Sequence, residues 1–367
     1  MFGALTLDSK VMKYSADCVE WCPINAFHDI FACGTYQLMN GKQEAVEKSP
    51  QTVSRLGNIN LFRVGEGGLL VLQQCLETPG VLDMKWCNEK NSLDEPILAV
   101  ANAEGAVMLF YLRKKGDTVE LVQGESIICV EKKGTLALSI DWCVGNGGSS
   151  KLVVSDSDGS VSILRFTESG LEKEHNWNSH SHEAWISIFD NKDPNIVYSG
   201  GDDCQLAMYD LRQKCQIINL KKEHNAGVTA LSCYMKHNIL ASGSYDEILR
   251  LWDKRNWKAP LSEINLGGGV WKIKWCPKSD EEMQNYLLVA CMHAGFKLID
   301  CTKAWEGKSM IESLTYSDHD SLAYGCDWSH SQSLLQHVSN NDVKGINFRS
   351  LIASCSFYDS KLCLWAV

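Results

Sequence analysis

The 367-residue sequence contains no run of about 18 apolar residues, so it offers no membrane-spanning helix. Its first residues, MFGALTLDSK, have neither a basic start nor an apolar stretch, and no secretory leader is expected. No G-x-S-x-G occurs, which excludes a nucleophile elbow. No G-x-x-x-x-G-K-[ST] or H-E-x-x-H occurs, which excludes the phosphate-cradling loop and the zinc-protease helix. Basic residues are short: 35 Lys and Arg face 45 Asp and Glu, for a formal net charge of −10. That balance argues against nucleic-acid binding, which needs a basic face. Sixteen cysteines are present, but no C-x-x-C; the nearest pair is Cys18 and Cys22. Cys87, Cys143, Cys233, Cys276 and Cys363 lie inside strand-like stretches. Buried free thiols in a reducing, cytoplasmic setting are therefore expected, rather than disulfides or zinc. Only seven prolines occur and no Pro- or Gly-rich linker, so residues 1–367 read as one domain.

What the chain does have is repetition. Residues 224–255 run HNAGVTALSCYMKHNILASGSYDEILRLWDKR. GVTALSCY, ILASGS and ILRLWD alternate as strands, separated by turns at Asn238 and at YDE. The stretch resembles a WD repeat, one blade of a β-propeller. Its His224, Asp246, Ser242 and Trp252 are expected to hydrogen-bond in series. A first-strand signature recurs, ending in Trp21, Trp86, Trp142, Phe189, Cys233, Trp275 and Trp328. Each is followed by a second strand and a hairpin. Only Trp252 and Trp365 close a unit as apolar-Trp pairs, and Tyr209 takes that place in the fourth. Seven units of ~40–45 residues fit the length, with room for insertions. These insertions fall at 37–58, 145–150, 278–285 and 330–350. The fold expected is all-β: a seven-bladed WD-repeat propeller. The chain ends just after a third strand, so residues 3–8 are expected to supply the last strand and close the ring.

Equivalent positions locate a site. The residues just before each turn acid, aligned only approximately in the first and sixth blades, are Tyr36, Ala103, Ser157, Asp202, Tyr245, His293 and Tyr358. Those four before each signature position are Asp17, Leu82, Leu138, Trp185, Thr229, Trp271 and Tyr324. Both sets ring one face of a propeller. They gather Trp185, Trp271, Tyr36, Tyr245, Tyr324 and Tyr358 at one mouth, with Asp17, Asp202, His293 and Glu183 beside them. Aromatic faces with carboxylates suit a cation, a quaternary ammonium above all, and equally a Lys- and Arg-rich protein surface. The plainer alternative is that these rings only cap blades. His180, His224 and His319 occupy equivalent sites and read as structural. His180-x-His182 lacks matching ligands, so no metal is expected. His293 stands outside that set and is the candidate general base, with Asp202 or Asp17 orienting it and Tyr324 facing an oxyanion. Attack by Ser or by Cys291 stays open.

Several segments go beyond generic WD repeats: DCVEWCP (17–23), YSGGDD (198–203), GGVWKIKWCP (268–277), ACMHAGFK (290–297), YGCDWS (324–329) and ASCSFYD (353–359). With ACGTYQL, LDMKWC and SGSYDE they resemble the diphthine methylesterase family of the diphthamide pathway. The resemblance covers most of the chain and every blade; it is least in 37–58 and 330–350. It implies an enzyme that removes the methyl ester of diphthine methyl ester on translation elongation factor 2, leaving a carboxylate for amidation. It implies no cofactor, a protein substrate and a monomer, with no membrane partner. The competing class is a non-catalytic propeller that serves as a scaffold or adaptor.

Overall fold

The computed structural model describes residues 3–39, 55–90, 94–144, 150–167, 170–277, 283–331, 334–335 and 348–367. Most of each insertion named above lies outside these residues. Gln37, Leu38 and Arg55–Asn58 do not interrupt the first hairpin. They extend it, with Gln37 paired to Leu56 and Leu38 to Arg55.

Among the described residues, twenty-eight strands form seven four-stranded antiparallel sheets, each a blade. Six blades are built from four consecutive strands. The seventh combines Ala323–Trp328, Leu351–Ser356 and Lys361–Ala366 with Leu5–Val11 from the start of the chain. The closing strand thus exists and pairs as expected, Leu5 with Ala366 and Val11 with Lys361, though it runs beyond residue 8. Among the described residues, no helix is long and apolar enough to cross a membrane.

Blades stack face against face, so their inner two strands are covered on both sides. Pro96–Asn102 and Leu351–Ser356 are buried at every residue. This is why the sequence there reads as unbroken apolar runs rather than alternation. The outermost strands, such as Cys215–Leu220, are largely exposed and carry little periodic signal. Close stacking also needs glycine in the second strand. A Cβ on Gly200 would lie 2.5 Å from Val228, and one on Gly243 2.2 Å from Val270.

The recurrent tryptophan has a joining function. Trp86 Nε1 donates to the carbonyl of Glu20, Trp142 to Lys85, Trp275 to Ser232 and Trp328 to Lys274. Each indole therefore ties its blade to the inner strand of the one before. All sixteen cysteines are free thiols.

The expected histidine series is present with one change. His224 Nε2 lies 3.0 Å from Ser242 Oγ, which also accepts from Trp252 Nε1 at 2.8 Å. Asp246 does not join it: its carboxylate is taken by Arg250 at 2.9 Å and by the Asn225 amide. In the fourth blade His180 does meet its turn acid, Asp203, at 2.9 Å, and Ser199 at 2.8 Å. His319 lies between Ser354 and Ser356 in the seventh.

Candidate active site

The inner strands carry a repeated irregularity. In five blades their register slips between Ala16 and Cys18, Val81 and Asp83, Ala137 and Ser139, Val228 and Ala230, and Ala323 and Cys326. The residues stepped over are Asp17, Leu82, Leu138, Thr229, and Tyr324 with Gly325. These are β-bulge positions, which leave a residue out of the ladder and re-aim its side chain. In the fourth and sixth blades the matching residues, Trp185 and Trp271, sit just ahead of their inner strands. All of these but Gly325 line one cavity of about 220 Å³. Contributions from every inner strand place it at the mouth of the central channel. Bulging also lets two successive residues face the cavity. Asp83 and Ser139 therefore join their neighbours in the lining, and Ile186 and Lys272, which open the regular inner strands of the fourth and sixth blades, line it beside Trp185 and Trp271.

One side of the wall is a chain of rings. Tyr36 meets Phe357 (centroids 6.3 Å apart), Phe357 meets Tyr324 (4.9 Å), and Tyr324 meets Trp271 (4.8 Å). Trp271, Trp185 and Tyr245 then form a group of three, with centroids 5.7–6.1 Å apart and Trp185 edge-on to the other two. Trp185 Nε1 donates to Asp202 Oδ1 at 3.0 Å. Glu183 lies alongside: its carbonyl accepts the Asp202 amide. Burial pushes the Tyr245 phenol well above its usual range, and Asp202 and Glu183 add to the effect. Burial does the same for Tyr324, with Asp17 adding. Both remain neutral donors, and among the described residues neither hydroxyl has a hydrogen-bond partner.

The floor is charged. Lys272 Nζ donates to Asp83 Oδ1 at 2.7 Å, and Asp83 Oδ2 accepts the Ile140 amide at 3.0 Å. Asp17 is 6% exposed. Burial holds its carboxyl well above the usual carboxylate range; Lys272 opposes this and Asp83 reinforces it. Deeper in the channel, Lys274 pairs with Glu20 and lies 3.6 Å from Asp327. A larger cavity of about 390 Å³ opens beyond, lined by Lys85, Trp86, Lys274 and Trp275. Two indoles in its wall, Trp86 and Trp275, join blades.

The structure gathers Asp17, Tyr36, Trp185, Tyr245, Trp271 and Tyr324 in one cavity and sets Asp202 and Glu183 at its rim. It does not bring His293 or Tyr358 there. Both are exposed, Tyr358 at 74%. Register gives the reason. Ile186 pairs with Gly200 and Lys272 with Ala290, so Met292, not His293, matches Asp202. In the seventh blade the turn is one residue longer. Phe357 follows the strand-end Ser356 as Tyr245 follows Ser244, and both amides bond back to the preceding loop. Counting from the turn acid therefore overshot by one in each case. Lys272, Asp83, Ser139 and Phe357 were missed for the same reasons. Among the described residues, no cluster of His, Cys, Asp and Glu could hold a metal ion.

Residues 215–253 match the family model described as WD domain, G-beta repeat. A human protein named diphthine methyltransferase is 37% identical over 90% of this chain and 75% of its own length. The diphthine methyltransferase homolog of Dictyostelium discoideum is 32% identical over 98% of both chains. A solved chain from "Crystal Structure of Mitotic Checkpoint Complex" superposes with a TM-score of 0.69 over 100% of this chain and 93% of its own. Its 15% identity speaks to the propeller fold alone. With its blades, its cavity and relatives matched nearly end to end, the chain belongs to the diphthine methyltransferase family of WD-repeat proteins.

Proposed function

We propose that this protein hydrolyses the methyl ester of diphthine methyl ester on translation elongation factor 2, releasing methanol and a carboxylate. The relatives' names point to diphthine and to a methyl group. The observation that carries the reading is the group of Trp185, Trp271 and Tyr245 beside Asp202 and Glu183. Aromatic faces with nearby carboxylates suit the trimethylammonium group of diphthine. Tyr324, with its neutral hydroxyl in the same cavity, suits the ester oxygen. His293, outside the lining, has no role in this reading.

The relatives' name also admits the reverse chemistry, methyl addition. Size favours hydrolysis. A cavity of about 220 Å³ is smaller than the ~300–1,000 Å³ usual for sites that enclose a whole small molecule. It fits a side-chain head with its ester better than that head plus a nucleoside-bearing methyl donor. A scaffold role would leave the substrate unchanged.

The test is mass spectrometry of methyl-esterified substrate protein incubated with the pure chain. Hydrolysis removes the mass of one CH₂ and releases methanol. A gain of that mass with a methyl donor present would establish transfer instead. No change under either condition would establish a scaffold.

A further inference from the structure

We propose that Asp17 is the general base of this hydrolysis and that Lys272 holds the oxyanion, with Asp83 positioning the lysine. The assignment rests on the ester-hydrolase reading above and gives three residues defined tasks.

Geometry selects Asp17. It is the bulge residue of the first inner strand, so its carboxylate is turned from the ladder into the cavity. Among the described residues, no hydrogen bond engages it. A buried carboxylate without donors is costly to the fold. Such a group suits a site that a bound water and substrate complete. Burial raises its pKa, which makes it a stronger base at neutral pH than an ordinary carboxylate. Asp83, in the same lining, is excluded from that task because Lys272 and the Ile140 amide occupy its two oxygens.

Lys272 is held charged. Burial pulls its pKa down, but Asp83 and Glu20 outweigh that and the net shift is upward. Its ammonium has three donors. One goes to Asp83, and among the described residues no acceptor takes the others. A fixed ammonium with free donors in a half-dry cavity is what a developing oxyanion needs.

The steps balance. The Asp17 carboxylate takes a proton from water as the water oxygen bonds to the ester carbonyl carbon. The carbonyl electron pair moves to oxygen, and this oxyanion accepts hydrogen bonds from Lys272 Nζ and the Tyr324 hydroxyl. On collapse the bond to the methoxy oxygen breaks, and that oxygen takes the proton from Asp17 and leaves as methanol. The new carboxylic acid loses its proton to solvent, and Asp17 is again a carboxylate. The titratable groups around Asp17 are Asp83 and Tyr324 from the two flanking blades, Lys272 from the sixth blade, its neighbour Cys18, and Cys355.

The test uses the full chain with two esters: the natural one, and an analogue in which a neutral tert-butyl group replaces trimethylammonium. Asp17→Asn is expected to lower kcat ~10²–10⁴-fold on both. In the wild type, kcat/KM should fall on acidification with a midpoint above ~3.9, and the residual activity of D17N should lack that limb. Lys272→Met is expected to lower kcat ~10²–10³-fold, with Lys272→Arg recovering part of it. That arm stands even if D17N does not fold. If D17N instead raises KM for the charged ester alone and leaves kcat intact, Asp17 only attracts the cation and the base assignment is overturned. Wild-type kcat in K272M overturns the oxyanion assignment. Absence of methanol from the wild type itself overturns the ester-hydrolase reading, and this assignment with it.

Discussion

Trp185 Nε1 and Asp202 Oδ1 lie 3.0 Å apart, donor to acceptor, and this bond fixes the indole edge-on to both Trp271 and Tyr245. It joins the acidic rim to the aromatic wall. Trp185→Ala or Trp271→Ala is expected to weaken binding of the trimethylammonium ester by ~0.5–2 kcal/mol, a ~2–30-fold rise in Kd. The neutral analogue should lose less. Asp202→Asn keeps an acceptor for the indole and removes the charge, so it should weaken the charged ester only. Titration calorimetry with both ligands reads the difference; equal losses would remove the cage.

His293→Ala is expected to turn over at the wild-type rate, because the side chain is exposed on the sixth-blade turn outside the cavity. A drop in kcat of ~10²-fold or more, at unchanged melting temperature, would return the general base to this histidine.

Stability should decline with acid through three histidines. Burial holds His224, His319 and His330 at about 4, against the ordinary value of 6.5. Between those values the unfolded chain binds protons that the folded chain refuses. Their contribution is therefore complete above pH 6.5 and is lost as pH falls toward 4, on the order of 3 kcal/mol for each. Asp327 works the other way: burial raises it to about 6, so the fold gains from its protonation. Comparing His224→Gln and His319→Gln with the wild type separates the two effects. The variants should show a shallower fall in melting temperature from pH 6.5 to 4. At neutral pH, His224→Ala should cost ~1–3 kcal/mol through the unpaired Ser242 and Trp252.

Deleting residues 1–11 should destabilise the whole ring. Leu5 and Leu7, half-buried, pack against the core between the first and seventh blades, at ~1 kcal/mol each. Thr6 Oγ1 also lies 2.8 Å from Tyr316 Oη. The deletion bares the Lys361–Ala366 edge. An unchanged melting temperature in calorimetry would mean that the strand does not clasp the ring.

Seven blades and their closure were legible because each inner strand ends on a repeated residue with a repeated task. The aromatic wall followed by counting from that residue: Trp185, Trp271 and Tyr324 sit where the count put them. Counting failed where backbone geometry changed the count. A bulge turns two neighbours inward, so Asp83 was hidden behind Leu82 and Ser139 behind Leu138. One extra turn residue moved Phe357 into the place assigned to Tyr358. In the sixth blade the register, with Ala290 standing where Gly200 stands in the fourth, put Met292 where His293 was expected. Outer strands such as Cys215–Leu220 were invisible because solvent asks no pattern of them.

Within this one chain, the signature position of the inner strand holds tryptophan in five of seven blades, four of them joining blades, whereas the bulge position holds Asp17, Leu82, Leu138, Thr229 and Tyr324. A residue outside the ladder can change without breaking a pairing. The ring is thus a constant frame with independently adjustable addresses around a single opening. A designer, or natural selection, can rewrite the chemistry of that opening one blade at a time, and Leu82 and Leu138 are the two apolar addresses at which to begin.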